Sequence, residues 1–151
     1  MLNVRTIKRT LDLGLLLIRL AFGISIAIHG CQKLFGWFGG HGIKGTSQFF
    51  ESIGFKPALP FVVMAGLGEL LGGLLFAAGV FMPLASLLII GTMIVAIVRV
   101  TFKNGYDITK GGYEYSLAII AAALGIFLTG PGEYVLYKRP RKWRELWNNI
   151  I

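Results

Sequence analysis

The sequence predicts an all-α membrane protein, a four-transmembrane-helix bundle forming one domain over residues 1–151. A long outer loop carries a short interfacial helix. Three observations predict this class. Of 151 residues, 55% are hydrophobic and 15% charged, with mean hydropathy +0.71; a soluble domain carries about a quarter charged residues. The apolar residues gather into four runs that approach the ~20 residues needed to cross hydrocarbon. The basic residues, which bring the net charge to +8, sit at the ends of those runs, where they meet anionic headgroups rather than nucleic acid. A disordered chain, a nucleic-acid module and an ordinary soluble enzyme are excluded. One cysteine, Cys31, excludes an internal disulfide and any multi-cysteine metal site.

The first run covers about 11–30. It follows Arg5, Lys8 and Arg9 and holds the small residues Ser25-Ile26-Ala27, features shared with signal peptides. Arg19 within the run and the run's length favour a retained helix. The second run covers about 60–81 and the third about 84–102. Only Met82-Pro83 separates them, which demands a tight antiparallel hairpin, and proline is tolerated in a first helical turn. The fourth run, about 113–129, lies between Gly111-Gly112 and Gly130-Pro131-Gly132. The loop from Cys31 to Leu59 is too long for an idle hairpin. Within it, Ser47 or Thr46 is placed to cap a helix ending near Gly54, with Phe49, Phe50 and Ile53 as its apolar stripe. After Pro140, the spacing of Trp143, Leu146, Trp147 and Ile150 opposite Arg141, Lys142 and Arg144 predicts an interfacial tail over about 141–151.

Four crossings put both termini on one side. That side holds eight lysines and arginines against five on the other, so the termini are expected in the cytoplasm. Trp37, Tyr106, Tyr113 and Tyr115 mark the loop-side headgroup level, and Tyr134, Tyr137, Trp143 and Trp147 the other.

Ionisable residues inside apolar runs cost ~2.5–3.5 kcal/mol or more unless paired or hydrated. Counting ~1.5 Å per residue from the run boundaries places Arg19 and Glu69 at similar depths. A buried Arg19–Glu69 ion pair is therefore expected, beside close helix packing over Gly68 and Gly72. The pair has a purely structural alternative, fixing which helices meet, just as Arg99 can snorkel to the surface. His29, Lys33, Arg99 and Glu114 gather near the loop-side surface, with Trp37 and Tyr113 as flat walls. These six form the candidate ligand site, and no catalytic residue is assigned.

Other motifs carry less. Gly40-His41-Gly42-Ile43-Lys44-Gly45 matches G-x-G-x-x-G but follows a membrane helix rather than a strand. His29, His41 and Cys31 lack the spacing of a zinc site, and the two histidines lack the facing helices of a haem site. No metal is expected, and no motif for flavin or haem occurs.

His29-Gly30-Cys31-Gln32-Lys33-Leu34 resembles the H-G-x-Q-K-L motif of the DoxX family. Gly66-Leu67-Gly68-Glu69-Leu70-Leu71-Gly72-Gly73 is similar to its second-helix glutamate in a glycine setting. Gly112-Tyr113-Glu114-Tyr115 and Gly130-Pro131-Gly132-Glu133-Tyr134 resemble its fourth-helix start and closing turn. Family members often carry an acid a few positions later, where this chain has Leu136-Tyr137-Lys138. The resemblance implies four transmembrane helices. Through members described as quinol oxidase or thiosulfate:quinone oxidoreductase subunits, it also implies a link to quinone.

Three functional readings follow. The leading one is a membrane subunit of a quinone-linked oxidoreductase system in the cell (inner) membrane, taking electrons from a redox protein partner. The second is a non-enzymatic scaffold whose long loop recruits that partner. The third is a proton-coupled transporter using Glu69, which requires a homo-oligomer to enclose a path.

Overall fold

The computed structural model describes residues 3–137, so the expected tail helix at 141–151 lies outside the described residues. Among the described residues the secondary structure is helical, with no strand. Helix α1 spans Val4–Phe35, α2 Gly42–Ser52 and α3 Ala58–Ala78. Helix α4 spans Met82–Ala96 and continues through a π-turn, Ile97–Thr101, and a 3-10 turn, Phe102–Asn104. After a 3-10 turn at Ile108–Lys110 comes α5, Glu114–Thr129. Three helices, α1, α3 and the continuous Met82–Asn104 helix, are long and apolar enough to cross a membrane, and α5 is a shorter apolar helix of 16 residues.

Helix α1 is longer at both ends than its apolar run. Asn3 caps its start by accepting from the Arg5 amide, and Gly36, at φ 74°, ends it. Hydropathy marks where a helix leaves hydrocarbon, not where its hydrogen bonding stops, so the polar turn Cys31-Gln32-Lys33 remains helical. The lid helix α2 begins earlier than its expected caps: Thr46 and Ser47 lie inside it, and His41 precedes it. The link between α3 and α4 is as short as expected, with Pro83 in the first turn of α4.

Helix α1 packs most extensively on α3, α3 on α4, and α4 on α5, while α5 touches α1 sparsely. Helix α2 lies across α1 and α3. Lipid is as apolar as a leucine side chain, so no hydrophobic force joins helices inside it and close packing must do so. The α1–α3 seam is built for that. A Cβ on Gly30 would come within 2.5 Å of the Leu70 amide, and one on Gly73 within 2.5 Å of the Ala27 amide. Gly68 and Gly72 face α4 instead, against Thr92 and Leu88. The expected glycine packing is thus split over two faces of α3. The apolar core lies among α1, α3, α4 and α5, around Ile26, Phe76, Ile89, Ile119 and Ile126. A second cluster, Phe50, Ala58 and Val62, seats α2 on α3.

Gly73→Ala is expected to lower stability by about 1–3 kcal/mol through overpacking. Gly125→Ala, which meets nothing within 4 Å, is expected to be neutral or slightly stabilising. Thermal unfolding in detergent checks both.

Candidate functional site

Beneath α2, at the loop end of the helices, lies a cavity of about 940 Å³. Helix α1 contributes His29, Gln32 and Lys33, α3 contributes Glu69, and α4 contributes Thr92 and Arg99. Phe49, Phe50 and Ile53 of the lid segment form its apolar roof, as the stripe in the sequence anticipates. Met64, Leu87 and Val95 also line it while remaining 69%, 60% and 47% exposed. The cavity therefore opens sideways between α3 and α4 onto the apolar surface of the bundle.

Its polar wall is set by the α1–α3 register. Gly30 lies level with Gly66 and Leu70, so the next turn of α1 brings Lys33 to Glu69. Lys33 Nζ donates to Glu69 Oε2 at 2.5 Å, and the Glu69 side chain is almost wholly buried. One turn back on the same face of α1, His29 Nδ1 meets Gln32 Oε1 at 2.9 Å. Gln32 Nε2 in turn donates to the Phe38 carbonyl. That contact depends on Gly40, where a Cβ would collide with Gln32 Cα at 2.4 Å. Behind His29, Tyr115 presents its ring edge-on and shares a 2.6 Å hydrogen bond with Ser25.

Arg99 stands on the π-turn of α4, a distortion that re-aims side chains and recurs at functional sites. It donates to the Ile53 carbonyl at 3.0 Å and lies 4.8 Å from the centre of the Phe55 ring. Arg99 thereby fastens the end of the lid to α4.

The structure brings together His29, Lys33 and Arg99 of the six expected ligand residues. It does not bring Trp37, Tyr113 or Glu114 to the cavity wall. Trp37 packs on Phe35 and is largely exposed. Tyr113 stacks on Phe102, and Glu114 accepts from the Ile108 amide at 3.3 Å. The loop-end surface is wider than one ligand, so shared depth alone did not imply contact. Gln32 and Thr46 also line the cavity; Gln32 stands in the His29–Leu34 motif, but its role emerges only where the loop folds back on it.

The expected Arg19–Glu69 pair does not form: Glu69 takes Lys33. Arg19 lies about ten residues, roughly 15 Å, further down the seam, against Gly79 at the other end of α3. It is fully buried and donates to the Tyr134 carbonyl. There it faces the C-terminal end of α3, whose dipole favours a cation. Helix α1 runs on to Phe35, so Gly30 is not its boundary and Arg19 lies deeper than its distance from Gly30 implies. Around Arg19, the segment after α5 folds back on the bundle. Leu136 donates to the Ala78 carbonyl, Glu133 N to Asp12, and Lys8 pairs with Glu133 at 3.1 Å. Outside the apolar helices, the Asp107 carboxyl is held below the usual carboxylate range by hydrogen bonds from the Thr109 hydroxyl and amide.

No group of three or more histidine, cysteine, aspartate or glutamate side chains is placed to hold a metal among the described residues. What the fold and site define is a helical, multi-pass membrane protein with an ion-paired, laterally open cavity under a lid helix. The chain belongs to the DoxX family, whose sequence model matches residues 14–103. It is 31% identical over 123 residues to a Bacillus subtilis protein named "Putative oxidoreductase CatD", covering 82% of this chain and 84% of the relative. No solved structure matches with significance.

Removing Lys33 strands a buried carboxylate, whereas removing both partners does not. Lys33→Met is expected to cost about 2 kcal/mol, less than for a fully buried pair because Lys33 is a quarter exposed. Lys33→Met combined with Glu69→Leu is expected to recover most of that loss in thermal unfolding.

Proposed function

We propose that the chain is the membrane subunit of a quinone-linked oxidoreductase system, and that a quinone-like ring binds in the cavity beneath α2. The fold is read as four crossings, with α5 as the fourth, both termini in the cytoplasm and the lid on the outer face of the cell membrane. The carrying observation is the cavity's two-faced character. A charged and hydrogen-bonding end at His29, Lys33 and Glu69 adjoins a sideways opening among apolar residues. A ring with polar oxygens and an apolar tail matches both ends, and a gap between α3 and α4 admits the tail from the bilayer. Family membership and the relative named as an oxidoreductase support the redox assignment. Electrons come from a partner protein, for which the lid's outer face is the accessible side.

Within the site, Lys33 supplies donors to a ligand oxygen, and Glu69 tunes and orients Lys33. The phenylalanines of the roof supply flat apolar contact to the ring. Arg99 holds the roof in place.

Purified protein in nanodiscs is expected to bind a short-chain quinone analogue in equilibrium dialysis. Lys33→Met and Glu69→Gln should weaken it about tenfold or more, the effect of losing one buried charge-assisted hydrogen bond. Glu114→Gln, away from the cavity wall, should leave affinity unchanged. Absence of binding, or binding indifferent to Lys33 and Glu69, would overturn the assignment.

A further inference from the structure

The hydrogen-bond chain from Phe38 to His29 fixes which ring nitrogen carries the proton. The Phe38 carbonyl can only accept, so the Gln32 group facing it at 3.1 Å is the amide nitrogen. Gln32 therefore turns its oxygen, which can only accept, toward His29 Nδ1 at 2.9 Å. Nδ1 must carry the hydrogen. In the neutral ring, Nε2 then holds a lone pair, and it has no hydrogen-bond partner among the described residues, while the imidazole forms part of the cavity wall. One turn along the same face of α1, Lys33 Nζ has three N–H donors, of which Glu69 takes one. The wall thus offers an acceptor and a donor side by side, about one helical turn apart.

From this we infer that the site discriminates the redox state of its ligand: it takes the hydroxyl-bearing, reduced form of the ring in preference to the oxidised form. A hydroquinone donates one O–H to His29 Nε2 and accepts at an oxygen from Lys33. A quinone can only accept, so it satisfies Lys33 and leaves the His29 lone pair facing its own oxygen. A site built to meet a hydroxyl rejects an analogue lacking it because a polar group stays unpaired. His29 is the specificity-determining residue. Gln32 is a positioning residue that acts through it by holding the tautomer, and Gly40 makes room for the turn that orients Gln32. The inference rests on the proposal that the cavity binds a quinone-like ring.

The test compares three probes on the intact protein in nanodiscs, without oxygen and at one fixed pH. The probes are a short-chain hydroquinone, its quinone, and the hydroquinone dimethyl ether, which keeps the ring and loses both donors. Wild-type protein is expected to bind the hydroquinone about tenfold more tightly than either of the others. In His29→Phe, which keeps an aromatic ring beside Tyr115, the three affinities should converge within about twofold. Gln32→Leu frees the tautomer, so quinone binding should strengthen while hydroquinone binding weakens, a crossing that loss of packing alone cannot give. In ¹⁵N-histidine-labelled protein the His29 signal, identified by its absence from His29→Phe, should show a protonated Nδ1 and an unprotonated Nε2. Equal wild-type affinities, or a preference that survives His29→Phe, would overturn this inference and leave the ring-binding cavity standing. Binding of none of the three would remove the cavity assignment, and this inference with it.

Discussion

The close approach of α1 and α3 is the constraint from which the other features follow. Inside hydrocarbon two helices hold together only as well as their surfaces mesh, and here glycine faces glycine, so the backbones themselves touch. Side chains seated over those glycines, Leu34 on Gly66 and Ala77 on Gly23, fix its register. That register places Lys33 opposite Glu69, puts His29 and Gln32 on the adjacent turn, and leaves Arg19 at the far end of α3. Arg19 and Lys33, the two cations within the packed length of α1, therefore find different solutions, a carboxylate at the loop end and the Tyr134 carbonyl at the other.

These two solutions have different chemical consequences. A cation held by a backbone carbonyl has no proton to exchange with its partner and serves as a clamp, here joining α1 to the segment after α5 while packing against Gly79 at the end of α3. A lysine–carboxylate pair at a cavity wall keeps unused donors and a second carboxylate oxygen. It is the pair, not the deeper arginine, that has chemistry to offer a ligand. The π-turn under Arg99 adds a third device. By hydrogen-bonding the Ile53 carbonyl and lying against Phe55, that residue ties the lid to α4 although α4 makes no extensive contact with α2.

Much of this was legible in the sequence. The helical class, the approximate apolar segments, the short α3–α4 link, and the lid stripe of Phe49, Phe50 and Ile53 all follow from periodicity and turn residues. His29, Lys33 and Arg99 could be found because charged and polar groups near the ends of apolar runs are costly and few. The partner of Glu69 could not be read by depth, since depth was counted from the end of hydropathy and α1 runs five residues past Gly30. Trp37, Tyr113 and Glu114 share the level of the site but lie elsewhere around the bundle, and hydropathy carries no information about that angle. The role of Gln32 depends on a loop folding back over Gly40, a contact between residues eight apart that no helical period encodes.

The uneven packing of the bundle has a mechanical consequence. Helices α1 and α3, with α2 across them, form a stiff half, because backbones in direct contact cannot slide without collision. Helix α4 meets α3 through side chains, α5 packs on α4, and α5 reaches α1 only sparsely, with the Ser25–Tyr115 bond among those contacts. The cavity lies along the line between the halves. For the ring ligand proposed above, this predicts that a bulkier occupant displaces the α4–α5 half outward while His29, Lys33 and Glu69 on the stiff half keep their spacing.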